Sequence, residues 1–596
     1  MKQLIDPALA LRIVREAPVI AYDTETTGLS VHDKICGYVI TDYDYSIYVP
    51  VRHEAGGNIP NAELFEAELA KAFLERPLHR FVTVGHNIGF DLRISLRHGV
   101  SVLGALEDTM INEAIISDIT QGYGLEDCCT RRNVTAKKGT EIYAELARRF
   151  GGLPDRKQMK SFWRMEGDHP VVVEYATGDG ISTLELRDKQ QPILDANDLR
   201  RSWKLECDLL PYVARIHNRG LKIDPGYAST VVGDVNDAIG AASKVFTPGF
   251  NVRSPKAVEA LYRANGYTDD QFARTDSKAF SFTEKWLETN DIGNAILAVR
   301  RLEKARDSFI TPLIATHNVN GRVHPILNQS KSDDYGVSGV RFSCSEPNLQ
   351  AFPKRNIEVG RVVRRLVIPD EGMCIEEADA KQQEPRLFTH YSGDPALVDG
   401  YRRGTMDIHD RASDILKLDR DTAKRMSMGM LTMMSPPTLA GHMRWPLERA
   451  RDAHRAFLTD AFPHIKTFQD TAVHVFKRRG YVKTILGRRA YCDDPRFAYR
   501  AVSRIIQNVG GEHLKLCLLR ACQYEDAHPD QVQVLLTIHD SLLWQRDPGH
   551  DVSGLIKAIE NVAEEMELSV PIPFGLGSGK DWARASYGDK LDKYEE

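Results

Sequence analysis

The 596 residues include only nine cysteines and no Cys-x-x-Cys pair. That excludes a disulfide scaffold and gives no footing for zinc-ribbon or dithiol redox chemistry. Cys128 and Cys129 are adjacent, which suits neither a metal clamp nor an ordinary disulfide, and a reduced, cytoplasmic setting is expected. No uninterrupted apolar stretch approaches the roughly 20 residues of a spanning helix. Asp6 arrives too early for a secretion signal, so no membrane partner is expected. Internal repeats and low-complexity tracts are missing. So is an excess of either charge: 78 Lys plus Arg against 83 Asp plus Glu leave a net charge of −5. That neither announces nor excludes a nucleic-acid binder, because electrostatic footprints are local. What is present is ordinary globular composition, 42% hydrophobic and 27% charged, with length enough for several domains of roughly 100–200 residues each.

The first part of the chain mixes strand and helix patterns. Val19–Tyr22 predicts a buried strand, 35–40 and 45–51 a hairpin, 63–74 a helix, 81–84 a strand and 90–98 the start of a helix. A helix is predicted over 170–190, a polar linker over 190–198, and a strong helix over 199–219 ending at Gly220. The second part is helix-rich. A strand is expected at 373–378 and a strand–turn–strand around His539-Asp540-Ser541, with a long helical region, 407–479, inserted between them.

Asp23 and Glu25 end the first of these strands. At i and i+2 they share a face, and two adjacent carboxylates repel unless a cation lies between them. Hard divalent metals relieve that repulsion. Asp91 closes the segment Gly85-His86-Asn87-Ile88-Gly89-Phe90-Asp91, after a strand and at the opening of a helix. Tyr175 and Asp179 stand four apart on a helix and share a face, so the phenol can orient a water while the acid holds a metal. In this order the segments resemble the three exonuclease motifs of DnaQ-like proofreading 3′–5′ exonucleases, over about 15–190. The resemblance implies that Asp23, Glu25, Asp91 and Asp179 hold two divalent ions and that Tyr175 orients the attacking water.

Two further acids, Asp379 and Asp540, lie far apart in sequence, each where a strand ends or turns. Between them Arg420, Lys424, Met428 and Thr432 are spaced by four along a helical pattern. Two cations followed by an apolar position could meet a triphosphate and then a base. Ala378-Asp379-Ala380-Lys381-Gln382-Gln383-Glu384-Pro385-Arg386 resembles motif A of family A DNA polymerases, the bacterial DNA polymerase I group and its phage relatives. Gly339 to Gln350 resembles the primer-contacting segment, and Ile538-His539-Asp540-Ser541 resembles motif C. Asp407-Ile408-His409, Gly480 to Thr484, Gly487-Arg488-Arg489 and Gly579-Lys580-Asp581-Trp582 also fit.

The resemblance implies an α/β, RNase H-like exonuclease domain at 1–195 and a right-hand polymerase at 196–596. The latter would have a helix-rich build, an antiparallel palm sheet, a thumb at about 203–330, palm at about 331–399 and 481–596, and fingers at about 400–480. It implies that Asp379, Asp540 and the Ala380 carbonyl bind two magnesium ions, with manganese as a substitute. Arg420, Lys424 and His409 would hold the incoming deoxynucleoside triphosphate, Glu384 would crowd the ribose 2′ position, and Met428 and Thr432 would border the base. Arg341, Gln350, Gln507 and His539 would contact primer–template DNA. The implied activity is template-directed DNA synthesis with 3′–5′ proofreading by a monomer. The stretch ahead of the polymerase motifs is too short for a 5′-nuclease domain, which favours a bacteriophage enzyme.

Departures cluster near the nascent base pair. The family usually has Phe or Tyr at Met428, Tyr at Thr432, Tyr-Ser at Ala380-Lys381, and Glu at Ser541. Two readings stand: drift in a fast-evolving phage enzyme, or a pocket adapted to a non-standard nucleotide such as 2-aminoadenine. The rival activity is a 3′–5′ exonuclease whose polymerase half is an inactive DNA-holding platform.

Overall fold

The strand β2 (Val19–Thr26) shows how local sequence places the first set of acids. Its buried apolar residues, Ile20, Ala21 and Tyr22, lead into Asp23 and Glu25 at the rim. It belongs to a six-stranded sheet in the order β1-β4-β3-β2-β5-β6. The others are β1 (Lys2–Leu4), β3 (Ile35–Thr41), β4 (Tyr45–Pro50), β5 (Val82–Gly85) and β6 (Ala105–Asp108). β3 is buried at every position and pairs antiparallel with β2 and β4, as the expected hairpin requires, while β5 runs parallel to β2. In this computed structural model the described residues are 1–76, 80–118, 122–135, 139–275, 279–330, 339–491 and 494–594.

The helix Pro170–Ala196 lies against β2, β3 and β4. Gly180 makes that approach possible: a Cβ there would fall 2.0 Å from Thr41 Oγ1. The polar linker expected at 190–198 is mostly the last turns of this helix. Gln190 is buried, its amide donating to the Thr109 carbonyl at 2.9 Å and to Glu113 at 3.0 Å. At Gln190 polarity reflects internal hydrogen bonding rather than exposure, whereas Asp195 and Asp198 are exposed. The chain turns at Asp198, with φ of 55°.

The next helix, Arg200–Arg219, stops at Gly220. It is apolar on two faces. Leu210 and Ala214 join the core of the N-terminal sheet, whereas Leu209, Val213 and Ile216 join a second, larger core. It also carries a buried ionic group: Lys515 Nζ meets Glu206 Oε1 at 2.6 Å, and Arg488 Nη1 meets the same oxygen at 3.2 Å. Arg488 also donates to the carbonyls of Ala114 and Gly339, tying the N-terminal region to the rest.

Helices Pro225–Ser243, Pro255–Ala264 and Asp291–Lys304 follow, with a small aromatic-rich core around Tyr262 and Phe272. The first positions of the expected palm, 331–338, lie outside the described residues. Then comes a four-stranded antiparallel sheet in the order Val532–Ile538, Ser541–Arg546, Cys374–Ala380, Phe574–Gly579. The strand expected to stop before Asp379 continues through it to Ala380. The helical region inserted between these strands is broken into shorter helices, among them Ile408–Leu416, Arg420–Leu431, Pro436–Met443, Leu447–Ala456 and Pro463–Arg479.

Candidate active sites

Asp23 and Glu25 on β2 meet Asp179 from the long helix, with carboxylate oxygens of all three within 4.8 Å of one another. Three acids so close repel and favour a hard cation. Tyr175 sits one turn before Asp179, its ring tilted against those of Phe162 and Tyr143 with centroids at 5.7 and 6.3 Å. Burial, then the charges of Asp179 and Glu25, push its phenol far above the usual range, so it stays protonated. A cleft of about 580 Å³ opens here, bordered by Asp23, Tyr175 and Asp179.

Asp91 stands apart from the trio. The ladder between β2 and β5 ends at Ala21 and Val84, and Asp91 takes over that edge. Its Oδ1 accepts from the Thr24 amide at 2.8 Å and the Thr24 hydroxyl at 2.6 Å. Burial raises its pKa to about 7, against the lowering effect of those bonds. Asp108 was not singled out from sequence. At the end of β6 it accepts from the amides of Asn87 and Ile88 and caps the helix that follows. It thereby fixes the loop that delivers Asp91. An acid at a strand end ahead of a helical run was the available signal.

In the second site Asp379 faces Ser541 across the sheet. Asp540 occupies the turn, its carbonyl accepting from the Ala380 amide at 3.0 Å. Burial, then the charge of Asp379, raises the Asp540 pKa. Ser541 donates to Asp379 Oδ2 at 2.8 Å. Lys354 was missed in the sequence. Its ammonium donates to Asp379 Oδ2 and, at 2.8 Å, to Glu377 Oε1. Burial works to discharge Lys354, but Glu377 and Asp379 outweigh it and raise its pKa. The site therefore draws a cation toward Asp379. Its only sequence signal was a lysine shortly after the Asn348-Leu349-Gln350 run.

The expected nucleotide and DNA contacts are disposed unequally. Arg420 and Lys424 are exposed on one helix, and Arg420 pairs with Asp407 at 2.6 Å and Asp410 at 2.7 Å. His409 is buried, and burial lowers its pKa. Met428 is half-buried on the same helix, but Thr432 lies just past its end as the C-cap. The run of four is thus one position too long. Glu384 is held by Arg341 at 2.9 Å. Gln350 is buried and donates to the Thr537 carbonyl at 3.0 Å, so it braces a strand. Gln507 and His539 are exposed, His539 with φ of 54°.

Comparison with known proteins gives a family for each region. Residues 2–195 match the family 3′-5′ exonuclease, and residues 229–584 match DNA polymerase family A. The chain is 28% identical to DNA polymerase DpoZ of Salmonella phage PMBT28, covering 96% of this chain and 98% of that one. It is 26% identical to DNA polymerase I of Chloroflexus aurantiacus, covering 96% of this chain and 62% of that longer protein. The fold matches a structure titled "POL domain of Pol1 from M. smegmatis complex with DNA primer-template and dNTP" with a TM-score of 0.80 at 20% identity, covering 98% of this chain and all of that one. Among the described residues no helix is long and apolar enough to cross a membrane. The polymerase match spans more than half of the sequence, and the chain belongs to DNA polymerase family A, carrying a 3′–5′ exonuclease domain ahead of its polymerase region.

Proposed function

We propose that this chain copies a DNA template in a host cytoplasm and removes mispaired 3′ ends with its own exonuclease, acting as a monomer. The observation that carries the reading is the convergence of acids from distant segments at two places: Asp23, Glu25 and Asp179 at one, Asp379 and Asp540 at the other. The first set, with Asp91 as fourth ligand, and the second set, with the Ala380 carbonyl, would each hold two divalent ions, magnesium or manganese. Bound there, the metals would lower the pKa of the attacking water or primer hydroxyl and offset charge on the leaving oxygen.

The remaining residues position the reactants. Tyr175 keeps its proton and orients the water at the exonuclease site. Arg420 exchanges Asp407 and Asp410 for triphosphate oxygens, with Lys424 beside it and His409 beneath. Glu384, held by Arg341, limits room at the ribose 2′ position. Arg341, Gln507 and His539 border the primer terminus, and Gln350 braces the strand leading to His539. Thumb, palm and fingers follow the boundaries given above. Chelation with EDTA should abolish both degradation and extension, and excess magnesium should restore both; degradation that persists in EDTA would contradict the metal assignment.

Base choice is the finer part of this reading. Half-buried Met428 offers a deformable thioether where an aromatic ring would give a flat wall. Thr432 turns its hydroxyl back to the carbonyls of Met428 and Gly429 at 3.2 and 3.0 Å. A deformable wall there would select less strictly by shape and would admit a purine with an added amino group. In competition opposite template thymine, 2-aminoadenine triphosphate should be incorporated in preference to dATP. Equal or better use of dATP would remove this part of the proposal and leave the polymerase assignment standing.

A further inference from the structure

We propose that a small basic pocket beside the exonuclease cleft, formed by Arg93 and Arg97 against His217 and His324, binds a backbone phosphate of the single DNA strand entering that cleft. The inference rests on the exonuclease reading above and adds a subsite to it.

The pocket has a volume of about 140 Å³ and lies between the helix Ile88–Arg97 and the segment around Thr316 to Ile326. It is continuous with the cleft of Asp23, Tyr175 and Asp179. Leu29, Phe90, Arg93, Ile326 and Glu346 border both. Arg93 and Arg97 are one turn apart on one helix face, and both are only partly exposed.

Other little-exposed arginines have partners: Arg52 and Arg187 pair with Glu66 and Glu107, and Arg76, Arg300 and Arg386 donate to backbone carbonyls. Among the described residues, no hydrogen bond or ion pair reaches the guanidinium of Arg93 or Arg97. Glu346 attracts Arg93 and Asp33 attracts Arg97. Burial, then the repulsion of Arg97, lowers the Arg93 pKa to about 10, which leaves it cationic at neutral pH.

The histidines opposite add no charge. His217 Nδ1 faces the Pro325 carbonyl at 3.2 Å, and His324 Nδ1 faces the His217 carbonyl at 2.9 Å. Burial holds both rings neutral. Two neighbouring guanidiniums in a partly dry pocket thus repel each other, and an anion between them relieves the cost. Arginine forks match phosphate oxygens in pairs. The continuity with the cleft makes the strand's own backbone the anion at hand.

The test uses the full chain carrying Asp23→Ala, so that bound DNA is not degraded. Binding of a fluorescent oligodeoxythymidylate is followed by anisotropy over a range of salt. Adding Arg93→Gln and Arg97→Gln should weaken binding about tenfold and lower the salt slope by about 1. Primer extension by the same variant should be unchanged, which verifies its fold. Unchanged affinity and slope would overturn the proposal. A competition arm with dTMP separates the two sources of phosphate. If the double substitution abolishes dTMP binding but leaves strand binding intact, the pocket is a product site and the proposal fails. If the chain without Asp23→Ala degrades no DNA, the exonuclease reading fails instead, and the strand-binding result still decides the pocket.

Discussion

Replacing Asp540 by alanine should abolish primer extension and spare degradation, and Asp23→Ala should do the reverse. Each substitution removes a carboxylate from one acid set and leaves the other untouched. Metal-assisted charge stabilisation supplies several kcal/mol, and each 1.36 kcal/mol is tenfold in rate, so the affected activity should fall by a factor on the order of 10³ or more. The backbone supports reading such a loss as chemistry rather than unfolding. The bond from the Ala380 amide goes to the Asp540 carbonyl, which alanine retains. Burial and Asp379 already disfavour the Asp540 charge, and Asp23 adds to the repulsion among three acids. Neither variant should melt below the parent. Parental extension by Asp540→Ala would show that Asp379 acts with some other partner.

The second large effect concerns stability. Glu206 is 1% exposed and faces two cations, Lys515 and Arg488. Lys515 also donates to the Gln329 carbonyl at 2.6 Å. Burial lowers the Lys515 pKa to about 8 even with Glu206 to support it. Without Glu206, Lys515 can shed its proton, but Arg488 cannot. Glu206→Leu should therefore destabilise the fold by about 3–5 kcal/mol, the cost of leaving a buried charge unpaired. Denaturant unfolding would measure it. Lys515→Met added to Glu206→Leu should cost less than the sum of the single changes, because the two share one network. Since Arg488 also holds the carbonyls of Ala114 and Gly339, heat should inactivate both activities of Glu206→Leu together. A loss below about 1 kcal/mol, the scale of a surface pair, would contradict this account.

Local spacing made much of each site legible. The alternation of β2 puts Asp23 and Glu25 on one face, and the turn of a helix puts Tyr175 over Asp179. Neither depends on the rest of the fold. Asp379 and Asp540 were legible through their motifs, although their meeting depends on a sheet assembled from distant segments. What sequence did not give was set by long-range contacts. Lys354 reaches Asp379 only because its segment folds over the sheet. Asp91 turns to Thr24 because β5 ends early and leaves that edge open. Gln190 read as linker because its partners lie on another helix. Thr432 read as helix because the stop is made by Met433, which adopts φ of 66° without the glycine that usually marks a helix end.

The central claim is that one chain holds two working sites of opposite sense. A 5′-labelled primer annealed to a longer template, incubated with magnesium first without and then with deoxynucleoside triphosphates, tests it in a single gel. The account predicts shortening of the primer in the first lane and full extension in the second. Shortening in both lanes would contradict it and leave a nuclease mounted on a polymerase-shaped DNA platform.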